Sequence, residues 1–330
     1  MKIVNPTRIV ALGLPLAAIG CGTVVPASPL PDTTPIVAWY TPDLKVFTTQ
    51  RGFSKEAFPF DRRLIEEVKA YLFGNASASA AVQCDSGGNL YIFGNQKFVK
   101  VQPEGEKVFR IATKKQLPRD LSVLALTAHL SPSGTLLAIF STSSKNSLGR
   151  ADLHVLNLAD NTTRLVKANL ELPVYGGLSW SHDESSLYFL DSGASSPDPT
   201  ENSVTRRYDM KSKRIEQSIV GSLLATSQDG NSVMTINAYP GKDIELRNIV
   251  RKFGEGKELF SVSTDKAPAQ ILGFWEDGTF LGVDFSEQPI GFRIEKGNLG
   301  NENVQEVAIV RYEGDQPLIF TAGRLSKDTN

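Results

Sequence analysis

The chain has 330 residues, 41% of them hydrophobic and 22% charged, with Lys+Arg 35 against Asp+Glu 36 and a formal net charge of -1. That length holds one large or two ordinary domains and that composition is normal for a packed soluble protein, so disorder is not the default. So balanced a charge supplies no general field to recruit nucleic acid or an anionic membrane surface. The short basic foci Arg62-Arg63 and Arg206-Arg207 lack interleaved aromatic residues and read as solvated surface.

The first element is an export signal. Lys2 and Arg8 precede IVALGLPLAAI, an apolar run of eleven residues, too short to span a bilayer with ease and of the length of a signal-peptide core. The run ends at Ala18, Ile19 and Gly20, followed by Cys21. This stretch resembles the bacterial lipobox. The resemblance implies that the Cys21 thiol receives a diacylglyceryl group, that residues 1–20 are cleaved off as a lipoprotein signal peptide, and that the new N-terminus is acylated. Ala18 stands where that family usually has Leu, and Pro15 interrupts the apolar run. Two other readings stay open: a soluble secretory signal cut near Pro26–Ser28, and an uncleaved anchor. Several buried acyl chains hold a protein to a membrane essentially permanently, at about 0.8 kcal/mol per buried methylene. Gly22, rather than Asp, after the cysteine favours the outer membrane by the same resemblance, for a Gram-negative host.

The only other cysteine is Cys84. With Cys21 lipidated it is a buried, inert thiol; the competing arrangement is a Cys21–Cys84 disulfide. Two cysteines and three scattered histidines supply no zinc cluster, and no cofactor is expected. Residues 21–35 are rich in Pro, Ser and Thr, bury little, and read as a tether, so a single folded domain is expected over 36–330.

Within that domain a turn followed by an apolar strand recurs: TPDLKVF at Thr41, SGGNLYIF at Ser86, SPSGTLLAIF at Ser131, SHDESSLYFL at Ser181, SQDGNSVMTI at Ser227 and WEDGTFLGVD at Trp275. The turn positions Leu44, Gly88, Gly134, Glu184, Gly230 and Gly278 are 44, 46, 50, 46 and 48 residues apart. A period in the forties is blade-sized, and the turn residues suit chain reversal between antiparallel strands. The second halves of the periods, such as ADLHVLNLADNTTRLV and VTRRYDMKSKRIEQSI, read strand, polar turn, strand. Four short strands per period describe a β-propeller blade. An all-β propeller is therefore expected, with six blades if the copy at Thr41 counts, and with five or seven as the alternatives. Closure requires both chain ends to share a blade, and PLIFTA near the C-terminus is positioned to pair with IVAWY near the N-terminus.

Two stretches break the rhythm. FDRRLIEEVKAYLF, residues 60–73, places Phe60, Leu64, Val68, Tyr71 and Leu72 at helical spacing with Asp61 as N-cap. This inserted helix either packs on the ring or docks a partner. DSGASSPDPTEN, Asp191–Asn202, has the composition of a solvated excursion and lacks the carboxylate spacing of a calcium loop.

LSPSG at Leu130–Gly134, SWSHDE at Ser179–Glu184, SQDG at Ser227–Gly230 and WEDG at Trp275–Gly278 resemble the repeat of the TolB-like and prolyl-oligopeptidase-like propellers, whose blades carry a phrase close to W-S-P-D-G before an apolar strand. The likeness covers most of residues 36–322. It implies a binding platform of the cell envelope or an accessory domain of an enzyme.

Catalytic motifs are missing where such an enzyme needs them. No G-x-S-x-G elbow and no H-E-x-x-H occurs, and SGGN and FGEGKE lack the context of a phosphate loop. His129, His154 and His182 each lie in or beside an expected strand and read as structural. Two functions of different class follow. The first is a non-catalytic, membrane-tethered propeller that binds an envelope protein or polymer, held to the membrane by lipid on Cys21. The alternative is an exported propeller hydrolase or lyase acting on a small molecule or sugar in the central channel.

Overall fold

A computed structural model of the chain describes residues 36–40, 45–48, 58–59, 61–74, 81–104, 108–119, 121, 128–142, 149–171, 177–192, 203–228, 230, 232–239, 245–263, 268, 270–286, 291–299, 303–311 and 319–322. Three strands come first, β1 (Ile36–Tyr40), β2 (Lys45–Thr48) and β3 (Phe58–Pro59), then helix α1 (Arg62–Phe73). Five groups of four consecutive strands follow. They are β4 (Ala81–Cys84), β5 (Leu90–Gly94), β6 (Lys97–Pro103) and β7 (Phe109–Gln116); β8 (Ala128–Leu130), β9 (Leu136–Ser141), β10 (Arg150–Asn157) and β11 (Thr163–Glu171); β12 (Leu178–Trp180), β13 (Ser186–Ser192), β14 (Ser203–Asp209) and β15 (Arg214–Val220). Then come β16 (Ser222–Thr226), β17 (Ser232–Tyr239), β18 (Glu245–Lys252) and β19 (Glu258–Ser263), and β20 (Gln270–Phe274), β21 (Thr279–Ser286), β22 (Gly291–Asn298) and β23 (Asn303–Arg311), before the last strand, β24 (Ile319–Ala322).

Each group of four is one antiparallel meander, and the protein is a β-propeller. The first strands β4, β8, β12, β16, β20 and β24 neighbour one another in sequence around the ring, and β24 returns to β4. The expectation of six blades is corrected in one respect: five self-contained blades of consecutive strands are present. Among the described residues the first repeat supplies β1, β2 and β3, and its sheet is composite, in the order β24-β1-β2-β3. The pairing of the two chain ends occurs as the sequence suggests, with Ile36 opposite Ala322 and Trp39 opposite Ile319.

The core lies between blades rather than inside one. In β9, Leu137 and Ile139 pack with the β4–β7 blade and α1, whereas Ala138 and Phe140 pack with Leu178, Trp180, Leu187 and Phe189 of the next blade. The period-two alternation of a strand thus sends successive side chains into two different interfaces. Tyr188 and Val233 join across the following junction, and Met234 and Phe280 across the one after it. Both faces of a second strand are therefore apolar, which is why LYIFG at Leu90–Gly94 is buried throughout.

Helix α1 begins at Asp61, whose Oδ1 accepts the Arg63 and Leu64 amides at 2.7 and 3.2 Å. It packs against β5, β6 and β7, with Ile65, Val68, Leu72 and Phe73 buried. Of the side chains the spacing selected, Val68 and Leu72 are buried, Leu64 and Tyr71 pack at the margin, and Phe60 lies outside the described residues. The Phe73 ring occupies the space above Gly94 that a Cβ there would enter at 2.4 Å. Lys97 Nζ donates to Tyr71 O at 2.9 Å, and Lys114 Nζ pairs with Glu67 at 2.7 Å. The helix is thus a cover for one blade.

Because β24 is, among the described residues, the strand that pairs with β1 from the C-terminal end of the chain, a chain ended at Asp315 is expected to melt at a clearly lower temperature. Amide exchange should show lost protection first in β1 and β4, the neighbours of the deleted strand. Unchanged melting and unchanged protection in those strands would show that closure contributes nothing.

Candidate functional site

The repeated turns form the most regular polar array in the molecule. At each of the five, a carbonyl accepts the amide three residues on: Asp85 O from Gly88, Ser131 O from Gly134, Ser181 O from Glu184, Ser227 O from Gly230 and Trp275 O from Gly278, at 2.9 to 3.1 Å. The fourth residue has positive φ in every case, +78° at Gly88, +72° at Gly134, +58° at Glu184, +93° at Gly230 and +86° at Gly278. That backbone is the reason for glycine there. The expected turn positions from Gly88 to Gly278 are thus structurally equivalent, and Leu44 lies outside the described residues.

In four of the five turns the residue that opens the turn carries a role that the sequence spacing did not expose. Ser131, Ser181 and Ser227 are buried, and their Oγ atoms accept the amides of Leu136, Ser186 and Ser232 at 3.1, 2.9 and 3.0 Å. Asp85 takes the same place in the first of these blades, with Oδ1 accepting the Gly87 and Asn89 amides at 2.9 Å each. The signal was present as a serine three residues before each turn residue in three copies.

Neighbouring turns are joined to one another. The Ser86 amide donates to Pro132 O at 2.6 Å, and the Ser133 amide and hydroxyl both donate to the Glu184 carboxylate, the hydroxyl at 3.0 Å. Gln228 N–H donates to Phe274 O at 2.8 Å. Glu184, which breaks the glycine pattern, therefore ties its blade to the one before. Deeper in, Trp180 Nε1 donates to His129 O at 3.0 Å, Thr226 Oγ1 donates to Trp180 O at 2.7 Å, and Ser179 Oγ lies 2.8 Å from Thr226 Oγ1. These bonds cross from β12 to β8 and from β16 to β12.

Ionisation follows from these contacts. Burial, then the adjacent Asp85 carboxylate, pushes the Tyr91 hydroxyl above its ordinary value. Asp85 Oδ2 also receives Asn89 Nδ2 at 2.8 Å and lies 4.0 Å from Lys100 Nζ, so its charge is spent on its own blade. Burial raises the Asp183 carboxyl, but hydrogen bonds from Ser181 and Ser185 outweigh it and hold the group below the usual carboxylate value. Glu295 is raised by burial, against the pull of Arg293 at 3.4 Å. His129 is lowered to about 4 by burial.

The remaining candidates fall apart in space. His129 is on β8, His154 on β10 and His182 in the turn after β12. Cys84 is buried at the end of β4, where its Sγ donates to Asp85 O at 3.4 Å. Cys21, Ala18, Ile19 and Gly20 lie outside the described residues, as do residues 193–202 of the Asp191–Asn202 stretch, while Asp191 itself pairs with Arg206. Among the described residues no group of three His, Cys, Asp or Glu side chains is placed to hold a metal ion, and no helix is long and apolar enough to cross a membrane. What the array does is mechanical: its polar groups fix turns and lock blade to blade.

Fold and turn array together define a β-propeller. No family model and no curated protein matches the chain. Solved structures similar to it include a protein designated TolB from Agrobacterium tumefaciens, 13% identical over 84% of this chain and 89% of that chain with a TM-score of 0.47. An apocarotenoid oxygenase from Synechocystis is 10% identical over 88% of this chain and 74% of that one, with a TM-score of 0.48. Hydrazine synthase from Kuenenia stuttgartiensis is 14% identical over 84% and 80%, with a TM-score of 0.41. The likeness is one of fold, shared by proteins of unlike activity.

Two substitutions measure the array. Gly134→Ala brings a Cβ within 2.4 Å of Tyr91 Oη and 2.8 Å of Asp85 Oδ2 at positive φ, whereas Gly230→Ala meets nothing within 4 Å. Gly230→Ala is expected to cost about 1 kcal/mol of stability from backbone strain alone, and Gly134→Ala distinctly more; equal losses in denaturant titration would remove the packing argument. Thr226→Val keeps the volume but leaves Trp180 O without its buried donor, a loss of roughly 1–3 kcal/mol, read by the same titration.

Proposed function

We propose that the protein is a lipid-anchored propeller of the bacterial cell envelope that binds an envelope protein or polymer and performs no chemistry of its own. The observation that carries this reading is the junction between signal and fold. The order Lys2 and Arg8, apolar core, Ala18-Ile19-Gly20 and Cys21 is followed by fourteen residues, Gly22–Pro35, and then directly by Ile36, the first residue of a strand paired on both sides. Residues 1–20 are the cleaved signal, residues 21–35 the lipidated tether, and the folded platform starts at residue 36. Fully extended, those fourteen residues reach at most about 50 Å, enough to let the ring turn freely near a membrane.

Cys84 supports the lipid reading over the disulfide, because its sulfur is buried at the end of β4 and engaged with Asp85 O. The non-catalytic reading is supported by the commitment of Asp85, Glu184 and the turn serines to hydrogen bonds within and between blades. In a Gram-negative host Gly22 directs the protein to the outer membrane.

Intact mass of membrane-extracted protein tests the anchor. The wild type is expected to lack Met1–Gly20 and to carry acyl mass on Cys21, and Cys21→Ala to carry none and leave the membrane fraction. A wild type without lipid would overturn the tethered role and make the Cys21–Cys84 pair the next measurement.

A further inference from the structure

His129 sits on β8, one of the first strands that form the inner ring, with β4 on one side, β12 on the other and β9 paired to it. Its Nδ1 is buried and has no hydrogen-bond partner. The Leu130 backbone pulls the imidazole toward its charged form, but burial outweighs it, and the strands packed against it carry no charged side chain among the described residues. β9 reads LLAIFS and β12 reads LSW, neither with a titratable side chain, and β4 reads AVQC, whose Cys84 sulfur is a donor to Asp85 O. The next titratable group outward, His154 on β10, is aligned with Ile139, while the partner of His129 on β9 is Ala138. A proton on this imidazole therefore meets apolar strands and no counter-charge among the described residues.

The backbone of the same residue is a joint between blades, since His129 O accepts Trp180 Nε1 at 3.0 Å and Trp180 O in turn accepts Thr226 Oγ1 at 2.7 Å. We propose that His129 is an acid-sensitive latch of the inner ring, whose protonation detaches β8 from β12 by releasing the Trp180 bond. His129 is only partly buried, so it is the buried Nδ1 that needs water once protonated; reaching it moves the short strand that carries it, and moving β8 takes the acceptor away from Trp180. The same chain of bonds passes the change to Thr226 on β16. A ring built this way is closed near neutrality and loosened in an acidified compartment.

The sign is fixed by the direction of the shift. The folded-state value, about 4, lies below the ordinary 6.5, so between these two the opened state binds the extra proton. Closure is complete above about pH 6.5 and is lost as pH falls toward 4. At one proton per molecule the opening equilibrium rises tenfold per pH unit, roughly 300-fold across the window. Asp183, held below the usual carboxylate value, titrates beneath that window.

The test follows tryptophan fluorescence of the mature protein from pH 8 to pH 3.5 for the wild type and for His129→Gln. The wild type is expected to show a reversible step between pH 6.5 and 4 and the variant to lack it. A step of equal size in the variant would overturn the latch. Should His129→Gln fail to fold, exchange of the imidazole C2 hydrogen in the wild type, read by mass spectrometry against pH, decides the matter. A His129 midpoint well below 6.5 supports the latch, and an ordinary midpoint near 6.5 refutes it.

Discussion

The structure depends on one constraint: the second strand of each blade must bury both of its faces, and no single blade offers more than half of what it needs. Phe140 and Ile139 are adjacent in sequence and both fully buried, yet they belong to the cores of two different junctions. A blade is thus stable only between two neighbours, and the array has to close on itself or leave one apolar face in water. The pairing of β1 with β24 satisfies this with backbone hydrogen bonds, joining residues nearly the whole chain apart. Each buried aromatic or aliphatic side chain at a junction contributes roughly 1.5–3 kcal/mol, and the loop-closure entropy of bringing the chain ends together grows only slowly with length.

Polar chemistry is subordinate to that packing. Burying a serine or aspartate beside such junctions is tolerated because each one satisfies amides that a tight turn leaves open, as Ser181 does for Ser186 and Asp85 for Gly87 and Asn89. The same economy explains Glu184. A side chain at positive φ costs backbone energy that glycine avoids, but its carboxylate reaches Ser133 on the adjoining blade, a contact no glycine makes. Lys115 does similar work at the rim, donating to Leu158 O and Ala159 O of the following blade at 2.6 and 2.7 Å.

What was legible in the sequence was whatever repeats. Gly88, Gly134, Gly230 and Gly278 announce the turn because their backbone conformation is forbidden to most residues, and runs such as LLAIF announce a strand covered on both sides. The helix was legible from the Asp61 cap and the spacing of Val68 and Leu72, although Ile65 and Phe73 belong to its buried face as well. Contacts between blades were not legible. Nothing local to Trp180 names the His129 carbonyl as its acceptor, 51 residues away, and nothing in Ser133 points to Glu184. The first repeat was overcounted as a blade because TPDLKVF reads as a turn and strand, whereas among the described residues the repeat has three strands of its own and β24 completes its sheet from the other end of the chain. The proposed anchor was read from Cys21 and its flanking residues alone, which lie outside the described residues.

The two ends of the sheets differ in a way that bears on binding. Antiparallel order places the first-to-second and third-to-fourth connections of every self-contained blade at one end, and there each connection has four or five residues. At the other end the connections run from one residue, Gly221, to ten between β13 and β14 and eleven between β7 and β8. Uniform length marks the end where turns lock into one another, as Ser86 to Pro132 and Ser133 to Glu184 do, and where a substitution disturbs the ring. At the variable end some residues still belong to the core, as Leu117 and Leu121 do, but the connections differ from blade to blade, and such connections are where a rigid scaffold carries recognition. On the proposed role, the variable end is the surface to probe first for a partner.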